Sequence, residues 1–158
     1  NQWGKGSDFE QVKLLDRKQI PQGVSISCGA YDSIDTDLQR VEMDDRLEPV
    51  AQFPNNWYKE STENDTFVMK ITCRALFLIN KDSAAIDVGK ADVYVDGKYK
   101  LTADPHKNGW THCNPLLVFS EEQAEEHTVE IRMAAGDEEK KYTIQRFCEW
   151  VLNSYYYK

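Results

Sequence analysis

The segment Ala91-Asp92-Val93-Tyr94-Val95-Asp96-Gly97-Lys98-Tyr99-Lys100-Leu101 constrains the fold most tightly. Apolar residues alternate on both sides of Asp96-Gly97, a pair that suits a type I′ turn because both central positions take positive φ. The segment therefore reads as a β-hairpin, and the remaining patterns point the same way. His127 to Met133 alternates cleanly, with Val129, Ile131 and Met133 on one face and Thr128, Glu130 and Arg132 on the other. That is the period of a strand with one wet face.

Phe67 to Cys73 and Arg74 to Ile79 are rich in β-branched and aromatic residues and too short for separate helices, so they read as one or two strands crossing the core. Pro115 to Phe119, Tyr142 to Phe147 and Gly23 to Cys28 have strand length, and Leu38 to Val41 and Val50 to Phe53 are weaker candidates. Between two of the strands, Ser120-Glu121-Glu122-Gln123-Ala124-Glu125-Glu126 begins with a capping Ser and carboxylates, the signature of a short connecting helix. Many short strands separated by turn residues predict an all-β fold, a β-sandwich of jelly-roll-like form with at most one short helix. At 158 residues the chain can bury roughly 70% of its unfolded surface as one unit. Residues 1–8 read as linker and residues 9–158 as a single sandwich domain.

A formal net charge of −8 opposes binding to phosphate backbones and to anionic membranes, whereas neutral sugars are indifferent to net charge. No apolar run reaches the roughly 18 residues of a membrane helix. Cys28, Cys73, Cys113 and Cys148 lie far apart without a C-x-x-C pair, and buried free thiols are the expected state for a domain that needs no staples.

The chain carries no G-x-S-x-G elbow, P-loop, H-E-x-x-H or G-x-G-x-x-G, and it is expected to bind rather than catalyse. His127 opens an alternating strand and is expected at its surface or edge, while His106 and His112 flank Trp110 without further metal ligands nearby. The acidic loop Asp32-Ser33-Ile34-Asp35-Thr36-Asp37 offers hard oxygen donors of the kind structural calcium takes. It lacks the Gly and the closing Glu of an EF-hand, and a solvated turn is the plainer expectation.

Two stretches pair a Trp with side-chain amides: Pro54-Asn55-Asn56-Trp57-Tyr58 and Asn108-Gly109-Trp110-Thr111-His112-Cys113-Asn114. A sugar ring stacks its C–H face on an aromatic ring while its hydroxyls exchange hydrogen bonds with amides and imidazole. On that chemistry Trp57 and Trp110 are the candidate platforms, and Asn55, Asn56, Tyr58, Asn108, His112 and Asn114 their polar neighbours. The plain alternative is that both Trp residues anchor loops to the core while the Asn residues satisfy turn backbone.

The blocks Gly89 to Gly97, Asn108 to Asn114 and His127 to Met133, in that order, resemble the β-sandwich accessory domain attached to SGNH (GDSL-type) hydrolases of gut Firmicutes. The resemblance covers mainly residues 50–148, with G-W-T-H-C-N its most specific part. It implies a secreted or cell-surface module beside an esterase acting on plant polysaccharide, with the catalytic domain outside this sequence. Such a module either binds glycan itself or packs against the linked hydrolase.

Overall fold

The computed structural model describes residues 10–37, 53–107 and 115–152. Among them every regular element is a strand: β1 (Glu10–Leu15), β2 (Ser25–Ser27), β3 (Trp57–Lys59), β4 (Phe67–Asn80), β5 (Ala91–Val95), β6 (Lys98–Ala103), β7 (Leu116–Met133) and β8 (Tyr142–Leu152). All named pairings are antiparallel and follow the order β1-β8-β4-β7-β5-β6, with β2 added to β4 and β3 to β8. The all-β reading holds.

β4 and β7 are long enough to serve two layers. The first half of β4 pairs with β2 and with the second half of β7, as in Met69↔Val129. Its second half pairs with β8 and with the first half of β7, as in Leu78↔Phe147 and Leu76↔Phe119. The two halves fold over one another. Phe67, from the first half of β4, stacks on Phe147 of β8 with ring centroids 5.9 Å apart, and it meets Trp57 of β3 edge-on at 5.5 Å. Met69, Ile71, Val129 and Ile131 join the same core as Leu76, Leu78 and Ile144, all fully buried. Each such side chain contributes roughly 1.5–3 kcal/mol by leaving water, which makes this interlayer seam the main source of stability.

The hairpin forms as its sequence requires, with φ of 52° at Asp96 and 80° at Gly97 and the pair Val95↔Lys98 closing the turn. Val129, Ile131 and Met133 point inward as expected. On the opposite face the Arg132 guanidinium lies 3.8 Å from the centre of the Tyr94 ring.

The expected short helix over residues 120–126 does not form. Those residues continue β7, with Ala75 opposite Ser120 and Cys73 opposite Glu125, so that residues 121–124 face Arg74 alone. A capping Ser and early carboxylates favour helix only weakly, and continuing a ladder already anchored at both ends overrides that preference. The result is a wide bulge at the corner where the strand passes from one layer to the other.

Two further expectations need correction. Trp57 is only 2% exposed and belongs to the core, so its ring is closed to a ligand. His127 is buried rather than at the surface. Its Nδ1 lies 2.6 Å from Asp96 Oδ2, and its Nε2 lies 2.6 Å from Glu121 Oε1. Burial works against its charge, but the two hydrogen bonds outweigh it and hold the imidazole above its ordinary pKa.

The linker-like residues 1–8, the strand candidate Leu38 to Val41 and most of Val50 to Phe53 lie outside the described residues. Cys28, Cys73 and Cys148 are free thiols; Cys73 is buried and the other two half-buried, while Cys113 lies outside the described residues.

Candidate functional site

β3 has three residues, and its alternation decides their roles. Trp57 and Lys59 turn inward, whereas Tyr58 between them turns outward and is half-buried. Opposite Tyr58 in the β3–β8 ladder stands Thr143, and the two share one face. This face is the floor of a cleft of about 110 Å³. One wall is the loop carrying Asp35 and Asp37; the other carries Lys81 and Ser83 after β4, Asp87 and Val88 before β5, and Lys141 before β8.

The base of the cleft is a closed hydrogen-bond network. Asp35 is 5% exposed, and its Oδ2 accepts from Thr143 Oγ1 at 2.6 Å and from Lys81 Nζ at 3.1 Å. Its Oδ1 accepts the Asp37 amide at 3.0 Å. Lys81 also donates to the Asp37 carbonyl. A buried carboxylate is tolerated because it is paired and bonded on both oxygens.

Asn56 fixes the loop from below. Fully buried, it accepts the Asp35 amide on Oδ1 at 2.8 Å, and through Nδ2 it donates to the carbonyls of Asp35 (3.0 Å) and Phe53 (2.9 Å). Its amide is thus consumed by backbone and offers nothing to a ligand, which corrects its expected role. Arg17 completes the clamp by donating to the carbonyls of Asn56 at 2.8 Å and Ser33 at 3.0 Å. Asn55 is half-buried, with its carbonyl bonded to the Arg17 amide at 3.0 Å.

On the outer rim Lys141 pairs with Asp87 at 3.3 Å, and that hydrogen bond holds its ammonium above the usual lysine pKa. Burial pushes the Tyr58 phenol up, so it stays protonated and able to donate at neutral pH. The cleft therefore combines one aromatic side chain with ammonium donors, carboxylate acceptors and hydroxyls on a rigid base. Its volume falls below the roughly 300–1,000 Å³ of an enclosing small-molecule pocket. It suits one polar ring or the edge of a longer polymer.

The acidic loop is more than a plain solvated turn. Asp32 pairs with Arg17 at 3.3 Å, while Asp35 turns inward to Lys81 and Thr143. Of the ligand candidates among the described residues, Tyr58 alone lies in the cleft. Trp57 and Asn56 support it from beneath, while Asn108, Trp110, His112 and Asn114 lie outside the described residues. His106 is exposed, with Nε2 2.6 Å from the Val88 carbonyl. Sequence reading missed Lys81, Ser83, Asp87, Lys141 and Thr143; Thr143 meets Asp35 across 108 positions, a separation that no local motif announces.

The fold is an all-β, antiparallel arrangement consistent with a β-sandwich. It superposes with a TM-score of 0.63 on a two-domain esterase (CEX) active on acetylated mannans, at 14% identity over 90% of this chain and 37% of that one. A family two carbohydrate esterase from Cellvibrio japonicus gives a TM-score of 0.55 at 10% identity, over 90% of this chain and 34% of the other. This chain thus spans little more than a third of the length of these proteins, and at such identities the likeness is one of fold. No protein-family profile matches the sequence, and no curated protein matches it either.

Proposed function

We propose that the domain is a non-catalytic carbohydrate-binding module of a secreted or cell-surface bacterial enzyme, holding plant cell-wall polysaccharide beside a linked esterase domain. The observation that carries this reading is the Tyr58 cleft, where an aromatic side chain stands beside paired donors and acceptors on a base that Asn56 and Arg17 hold rigid. A preorganised base limits the ordering cost of binding a flexible polymer. In this reading Tyr58 contacts the sugar, while Asp87, Lys141 and Ser83 exchange hydrogen bonds with its hydroxyls. Trp110, with Asn108, His112 and Asn114, supplies the stacking platform proposed from sequence. The fold shared with esterases acting on acetylated mannans supports glucomannan as the first ligand to try.

Affinity electrophoresis against glucomannan, xylan, xyloglucan and pectin tests the proposal. Retardation by at least one polymer is expected, weakened by Tyr58→Ala and by Trp110→Ala. Migration unchanged on all four overturns it.

A second reading, docking on a linked hydrolase without glycan contact, rests on a different surface. Among the described residues β1 lies at the edge of the sheet, and Val12, Leu14 and Ile20 are 53%, 47% and 44% exposed there. An apolar edge of this kind suits a covering domain. Binding to the separately expressed esterase domain, abolished by Leu14→Glu, together with no retardation on any glycan, is the outcome that selects this reading.

A further inference from the structure

Away from the cleft, the bulge in β7 and the tip of the β5–β6 hairpin meet around His127. Asp96, the first residue of the turn, holds β7 through both carboxylate oxygens: Oδ1 accepts the Thr128 amide at 2.9 Å and Oδ2 accepts His127 Nδ1 at 2.6 Å. The imidazole is also packed on Phe119, with ring centres 4.5 Å apart, and its side chain is only 10% exposed. With Nδ1 committed and the ring wedged, Nε2 can face in one direction alone. In that direction lie the carboxylates of Glu121 and Glu125, and the ligand atoms of all three residues fall within 4.8 Å of one another.

Glu121 and Glu125 come together only because four residues of β7 stand opposite Arg74, and a regular ladder would carry them apart. This stretch of β7 is itself acidic as well. From Ser120 to Ile131 the sequence holds five glutamates and neither lysine nor arginine.

We propose that this corner is a binding site for a divalent transition metal of the zinc class, with His127 Nε2, Glu121 and Glu125 as ligands and Asp96 as the residue that orients the imidazole. A carboxylate bonded to the far nitrogen of a ligating histidine is the usual support of such a site, since it fixes both tautomer and ring direction. The donor set of one imidazole and two carboxylates suits Zn²⁺, whereas Ca²⁺ takes six to eight oxygens. Zn–N and Zn–O bonds of about 2.0–2.2 Å at tetrahedral angles place ligand atoms roughly 3.3 Å apart. Glu121 Oε1 has to retreat by about 0.7 Å from its 2.6 Å contact and Glu125 has to close in, while the buried histidine stays in place. Both movements fall on glutamates with solvent beside them. Three protein ligands leave a fourth position for water or an outside donor.

The test uses the purified full chain, stripped with EDTA and titrated calorimetrically with Zn²⁺, then with Ca²⁺ and Mg²⁺. Tetrahedral Co²⁺ absorption serves as a second readout. One Zn²⁺ per chain is expected, with Ca²⁺ and Mg²⁺ much weaker and the melting temperature raised by the bound ion. Glu121→Gln and Glu125→Gln, both at exposed or half-exposed side chains, each lower affinity at least about tenfold while the metal-free melting temperature changes little. Asp96→Asn keeps a residue that tolerates positive φ and weakens zinc by about 10–100-fold. No zinc binding by the wild-type chain overturns the proposal, and so does zinc binding unchanged in both glutamate variants, which places the ion elsewhere.

Discussion

Trp57→Ala separates a core residue from a ligand platform. The indole lies between the layers, edge-on to Phe67 at 5.5 Å and tilted against Phe147 at 5.9 Å, with 2% of its surface exposed. Truncating a buried aromatic residue to Ala removes its transfer free energy and leaves a cavity that the two Phe rings can fill only in part, at a cost of about 3–5 kcal/mol. For a domain of this size each kcal/mol moves the melting temperature by roughly 2–4 °C, so a fall of about 6–20 °C is expected. Trp57→Phe retains an aromatic partner for Phe67 and is expected to lose roughly half as much. Thermal melts followed by circular dichroism measure both variants, and affinity electrophoresis run well below the transition measures what remains of glycan binding. The expected pattern is a large loss of stability with retardation retained by Trp57→Phe, set against Tyr58→Ala, which loses retardation while keeping its melting temperature. If Trp57→Phe loses glycan binding at an unchanged melting temperature, the ring touches ligand and its assignment to the core is wrong.

Other expectations follow from single groups. Lys59 is fully buried and donates to the carbonyls of Ser61 (3.0 Å), Glu138 (2.8 Å) and Lys140 (2.8 Å), so Lys59→Met strips three acceptors and should cost about 2–4 kcal/mol in urea unfolding; a neutral result refutes the bonding. Burial pushes the Cys73 thiol up to about 12, so peptide mapping after iodoacetamide treatment at pH 8 should find Cys73 unmodified in the native protein and modified only once it is unfolded. The Lys90 amide, bonded at 2.8 Å, holds the Asp137 carboxyl below its ordinary pKa against a smaller opposing effect of burial. Its stabilisation is therefore complete above the unfolded carboxylate value of about 3.9 and lost as pH falls through the lower folded value. The stability difference between the wild type and Asp137→Asn should shrink below about pH 4, and a difference that stays constant with pH contradicts this account.

Period-two alternation with one wet face is a local property, and it revealed the β5–β6 hairpin and the inward set Val129, Ile131 and Met133 directly. Asp96-Gly97 fixed the turn because few other pairs accept two positive φ values. Residues whose role depends on distant partners were illegible. Trp57 beside two Asn residues reads equally as a platform or an anchor. Only the arrival of Phe67 and Phe147 from other strands, and of Asp35 against Asn56, decides for the anchor. Lys59 hid the alternation of β3, since a buried lysine makes an inward position look like an outward one. The glutamates of residues 121–126 carry a helical signature that a strand pinned on both sides overrides. His127 could pass for an edge residue because its two carboxylate partners sit 6 and 31 positions away.

The pairing of β1 with β8 has a mechanical consequence. Glu10 stands opposite Leu152 and Leu15 opposite Phe147, so the incoming and outgoing strands meet at the same end of an antiparallel ladder. Tension applied through flanking chain would load these hydrogen bonds one at a time, in the manner of a zipper, rather than all together in shear. β1 would peel away at low force, exposing the hydrogen-bonding edge of β8 while β4 and β7, each threaded through both layers, kept the remainder intact.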